Sequence, residues 1–113
     1  CIRGELAWIC IQKHTNDILH YQVFKLSESD KTAIILPKGC VHGCISYMDN
    51  TEIQILSDSL YSIESSVNYN WGGILDEICM DLAIDKNNLQ DFGISNNPNR
   101  LSLDYKKLIR IDN

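Results

Sequence analysis

The chain lacks any apolar run approaching the roughly 20 residues that a membrane-spanning helix needs, and no basic stretch followed by an apolar core marks a secretory signal. Basic charge is scarce too. The 10 Lys and Arg stand against 15 Asp and Glu, for a formal net charge of -5. A nucleic-acid partner is therefore not expected, because phosphate backbones are held by clustered cations that neutralise several phosphates at once. A single diphosphate asks for less, and Arg3, Lys13 or Lys38 would serve. There is no disulfide framework either: Cys1, Cys10, Cys40, Cys44 and Cys79 are odd in number and irregular in spacing. Reduced thiols in a soluble, cytoplasmic protein are the simpler account. Internal repeats and low-complexity linkers are missing as well.

What is present points to short strands between turns. A chain of 113 residues with 44% apolar content can bury one core of its own and not two, which predicts one domain over 1–113. Residues 2–13 turn almost continuously apolar after Glu5, with Leu6, Trp8 and Cys10 on one face and Ala7, Ile9 and Ile11 on the other, as in a strand covered on both sides. Residues 20–26 alternate more openly. A strand over 32–36 is expected to run into the turn Pro37-Lys38-Gly39, where Pro presets φ and Gly accepts positive φ. The chain then resumes as a strand over 41–48, turns at Asp49-Asn50 and returns over 52–56. Further strands are expected over 67–71 and 77–84, bounded by Gly72-Gly73 and by Asp85-Lys86-Asn87-Asn88. Residues 102–109 read as a short helix capped by Ser102. Many short strands without a long helix predict an all-β sandwich or barrel.

Residues two apart on a strand share a face, so Cys40, His42 and Cys44 project to one side and raise the question of a metal. No second Cys or His pair stands at ligand spacing, and a His-x-His element is lacking. The two thiols are better read as small buried hydrophobes. No metal is expected, and the metal-dependent barrel is a remote third reading.

The stretch from Phe24 to Lys31, followed by Ile34-Ile35-Leu36-Pro37-Lys38-Gly39-Cys40-Val41-His42-Gly43, resembles the dTDP-4-dehydrorhamnose 3,5-epimerase family. That family carries Pro-x-Gly-Phe-Ala-His-Gly-Phe after a strand. The likeness continues through Asp49-Asn50-Thr51-Glu52, through the acidic stretch 58–65, to Trp71, and upstream to Arg3-Gly4-Glu5. It covers residues 2–84, with the centre most specific. The resemblance implies a cupin-like β jelly roll, a homodimer, and a nucleotide-sugar ligand, a thymidine-diphosphate 4-keto-6-deoxy sugar held inside the barrel. The family inverts C3 and C5 by moving protons beside the ketone, which needs a base, an acid and a partner for the enolate oxygen. No cofactor is implied, because the ketone itself acidifies those protons.

By the same resemblance, His42 falls on the substrate-contacting histidine and Tyr61 on the tyrosine that stacks against thymine. The family's proton-donor tyrosine falls at Ile55, the second glutamate of its acidic element at Ser66, and an aspartate of its Arg-Gly-Glu strand at Trp8. Asp104, one residue early in Leu101-Ser102-Leu103-Asp104, is the candidate for the aspartate that orients the base. The family's base histidine and enolate-stabilising lysine precede the Arg-Gly-Glu strand and are expected upstream of Cys1, which stands where an initiator Met does not. Cys40 and Cys44 replace two phenylalanines, which vacates volume that Trp8 or Met48 would have to fill. Two expectations follow: a ketosugar epimerase, or a related domain that binds a nucleotide sugar or glycan without turning it over.

Overall fold

The computed structural model describes residues 1–60, 62, 64–89 and 100–111. Among these the regular structure is mostly β. Strands β1 (Glu5–Lys13), β2 (Ile18–Ser27), β3 (Val41–Ser46) and β4 (Lys107–Arg110) form one mixed sheet in the order β3-β1-β2-β4. One helix, α1 (Gly72–Asp81), follows β3 in sequence. The chain divides into two compact units, Cys1–Asp58 with Lys106–Asn113, which carries the sheet, and Ser59–Tyr105, which carries the helix.

β1 is central because it is apolar on both sides. Leu6, Ala7, Trp8, Ile9, Cys10 and Ile11 are all buried, as a strand with a neighbour on each edge and cover on each face requires. It pairs antiparallel with β2 from Glu5↔Ser27 to Lys13↔Leu19, and with β3 from Leu6↔Ser46 to Ile11↔Val41. The β1–β2 connection closes with the His14 N–H donating to the Ile18 carbonyl at 2.7 Å. Asn16 and Asp17 take positive φ there, 63 and 58°, a region these two side chains tolerate better than most.

Opposed residues share a face. On one face Leu6, Trp8, Cys10 and Leu26 form a buried cluster, against which Phe24, Ile34, Leu36, Cys40 and Ile53 pack. On the other face Ile9, Ile11, Leu19, Tyr21, Val23 and Ile45 are buried. β4 runs parallel to β2, with Ile18↔Lys107 through Tyr21↔Arg110 in register. Gly4, at φ +79°, is a position where glycine is required. A Cβ there would meet Thr51 Oγ1 at 2.5 Å, and the Thr51 hydroxyl is already bonded to Ser46 Oγ and the Met48 carbonyl.

Several expected elements take other forms. The stretch 32–36 keeps the alternation of a strand, with Ile34 and Leu36 packed inward and Ile35 96% exposed, but it has no ladder partner among the described residues. The expected strand over 52–56 is reduced to one bridge, Arg3↔Glu52, reinforced by the Ile2 N–H and Glu52 N–H bonds at 2.9 Å and by an exposed Arg3–Glu52 ion pair at 3.4 Å. The Asp49-Asn50 turn does form, with Asn50 at φ 58°. Of the expected strand over 67–71, Tyr69 alone makes a bridge, parallel to Leu101.

The expected strand over 77–84 is instead the C-terminal part of α1 and its cap. Ile74, Ile78 and Cys79 are buried and Leu75 and Leu82 half-buried, a spacing of three and four that lines up on a helix and not on a strand. The cap is a Schellman motif: the Ala83 N–H donates to the Met80 carbonyl at 3.2 Å and the Ile84 N–H to the Cys79 carbonyl at 2.8 Å, with Ala83 at φ 55° in the left-handed region. The helix expected over 102–109 is also replaced. Ser102 caps nothing, and 107–110 is β4, because the open edge of β2 supplies backbone partners that local propensity does not anticipate.

Candidate functional site

His42 is delivered to the surface by a turn and a strand. Gly39 takes φ +80°, the Cys40 N–H donates to the Pro37 carbonyl at 3.3 Å, and the chain enters β3 at Val41. The turn leaves Lys38 exposed four residues before His42. On β3 the side chains of His42 and Cys44 share the face of Trp8 and Cys10, since His42 lies opposite Cys10 and Cys44 opposite Trp8. The exposed imidazole stacks on the buried Trp8 indole, with ring centroids 5.5 Å apart and planes 22° from parallel. Trp8 Nε1 is the buried side-chain polar atom that finds no partner among the described residues, an arrangement that costs on the order of 1–3 kcal/mol.

Trp8 stands directly opposite the exposed Cys44, and Met48 is 55% exposed. Cys40 packs against the buried cluster that contains Cys10. Its thiol donates to the Val41 carbonyl at 3.5 Å and neighbours the Cys10 thiol.

Burial first, and then the charge and hydrogen bonding of the neighbouring Cys40, push the Cys10 thiol up from 9.0 to about 12. The native state thus holds this proton more tightly than the unfolded chain. The stabilisation is complete below pH 9.0 and is lost as pH climbs from there toward about 12. Urea unfolding of the reduced protein is expected to show falling stability across that alkaline range, and Cys10→Val is expected to flatten the slope. An unchanged slope in the variant would assign the loss to other groups.

Asp104 is exposed in the segment between Leu101 and β4, within the Ser59–Tyr105 unit. Tyr61 lies outside the described residues. Ile55 is 71% exposed and Ser66 donates to the Ser62 carbonyl at 2.7 Å. Of the cations suited to a diphosphate, Lys13 and Lys38 are exposed while Arg3 is engaged with Glu52. Among the described residues, no three His, Cys, Asp or Glu side chains are grouped to hold a metal ion, and no helix is long and apolar enough to cross a membrane.

No protein-family model, curated protein or solved structure matches this chain. The geometry around His42 therefore has to carry the functional reading unaided. The alternation along β1 already places Trp8 and Cys10 on one face, but their partnership with His42 and Cys40 depends on which residues of two sequence-distant segments come opposite each other. A Trp at position 8 gives no local sign that it will serve as a platform for an imidazole.

Proposed function

We propose that this chain is related to the dTDP-4-dehydrorhamnose 3,5-epimerases, that its sheet is part of a cupin-like jelly roll, and that the wall around His42 binds a nucleotide sugar. The observation that carries the reading is the turn 37–40 followed by an exposed His42 stacked on Trp8, in the segment whose residues most resemble that family. The imidazole offers a hydrogen bond to a sugar or phosphate oxygen, and its indole backing fixes the ring plane. Lys38, exposed in the same turn, supplies the cation that a diphosphate calls for. Tyr61 is the proposed thymine-stacking side chain and Asp104 the proposed orienting carboxylate. The setting proposed is a cytoplasmic homodimer.

Binding is favoured over turnover. A side chain at the family's donor position must carry a transferable proton, and Ile55 has none. The test is incubation with the dTDP-4-keto-6-deoxyglucose substrate in heavy water, paired with calorimetric titration of the same ligand. Saturable binding without deuterium at C3 or C5 is the expected result, and His42→Ala is expected to weaken binding by about tenfold or more, equivalent to ~1.4 kcal/mol. Deuterium at either carbon would establish the epimerase activity instead. Failure to bind at all would overturn the nucleotide-sugar reading.

A further inference from the structure

Cys10 and Cys40 are two thiols of one packed cluster. Cys10 sits on the central strand, buried to 5% exposure, and Cys40 sits half-buried in the turn that leads into β3, packed against the same apolar cluster. We propose that these two residues form a reversible disulfide that staples the turn before β3 to the central strand and so governs how His42 is presented. The cross-link does not depend on the nucleotide-sugar reading; its effect on ligand binding does.

The other pairings are poorer. Cys40 and Cys44 are four residues apart along an extended chain, a separation of about 13 Å, well beyond the ~7 Å limit between Cα atoms that a disulfide tolerates. Cys44 is exposed and is not part of the cluster that holds Cys10. Cys79 is buried on α1 and is not part of the cluster that holds Cys10. Cys1 packs against the same cluster, but its thiol is engaged with the carbonyls of Arg3, Gly4 and Glu52 at 3.1, 3.5 and 3.6 Å.

The oxidant is a low-molecular-weight disulfide such as glutathione disulfide. The Cys40 thiolate attacks one of its sulfurs, forming a mixed disulfide and releasing one glutathione thiolate, which takes up the proton Cys40 lost. Cys10 then attacks Sγ of Cys40, expelling the second glutathione, and the Cys10 proton goes to that leaving thiolate. Two protein thiols are oxidised and one glutathione disulfide is reduced to two thiols. The raised Cys10 thiol makes the second step the slow one near neutrality, so closure should accelerate as the pH is raised.

The chain, reduced and then exposed to glutathione disulfide, is expected to lose two hydrogens in intact mass and to yield one cross-linked peptide pair joining Cys10 to Cys40, reversed by dithiothreitol. Cys40→Ser is expected to abolish that pair, and Cys44→Ser to leave it in place. A mixed disulfide that persists on Cys40 without closure, or cross-links that join other cysteines, would overturn the proposal. Titration of the dTDP sugar into the reduced and oxidised forms separates the two claims. A cross-link that forms in a protein binding no sugar keeps the disulfide and sinks only the ligand. Equal affinity in both forms would remove the link to His42.

Discussion

Replacing Ile9 by alanine is expected to lower the unfolding free energy by ~4 kcal/mol, near the upper part of the range for a fully buried isoleucine. Ile9 has no exposed surface, and its backbone is paired on both edges, to Val23 in β2 and to Gly43 in β3. Gly43 contributes no side chain beside it, so little can move in to refill the cavity. The loss is a large part of the roughly 5–15 kcal/mol that holds a domain of ordinary size together. Urea denaturation should show a lower midpoint with an unchanged slope. The control is Ile35→Ala. That isoleucine is 96% exposed, and its truncation is expected to change stability by no more than about 0.5 kcal/mol. Similar costs for the two variants would contradict the central position of β1.

The second large effect is at Trp8. Trp8→Ala is expected to cost ~3–5 kcal/mol through the cavity it opens among Leu6, Cys10 and Leu26. It also removes the surface on which His42 stacks. Because an indole shifts the resonances of protons held over its face, the His42 ring protons should move measurably in the variant while those of His14 and His20, stacked on each other with centroids 4.3 Å apart, stay in place. Trp8→Phe keeps an aromatic platform and removes the unpartnered Nε1, so it should be much milder than alanine and hold His42 near its wild-type position. A His42 spectrum indifferent to both variants would mean that the stack does not order the imidazole in solution. Any ligand contact made by His42 would then rest on the strand alone.

The places where sequence and structure part share a physical cause. Strands with both faces or one clear face buried were legible: β1 from its unbroken apolar run, β2 from its alternation, β3 from the turn that precedes it. Stretches whose outcome depends on a partner were not. Residues 32–36 alternate as a strand does and pack Ile34 and Leu36 inward, yet no strand among the described residues takes up their backbone groups. Residues 107–110 read locally as the end of a helix, yet β2 offers them a parallel ladder. The apolar residues from 74 to 84 suit either period over a short window. Burial of Ile74 and Ile78, four apart, decided for a helix.

The site divides in the same way. That His42 would emerge from a Pro-x-Gly turn onto a strand, beside Cys40 and Cys44, follows from residue types and spacing within ten positions of the chain. So does the sharing of one face by Trp8 and Cys10, since period two is a local property of extended backbone. The stacking of His42 on Trp8 and the contact of Cys40 with Cys10 required the antiparallel register between β1 and β3, which sets Trp8 opposite Cys44 and Cys10 opposite His42. A shift of one residue would have sent these side chains to the opposite face. Sequence alone determined which residues face which way along each strand; the pairing of strands, which the chain settles only by burying both faces of β1 at once, decided which of them meet.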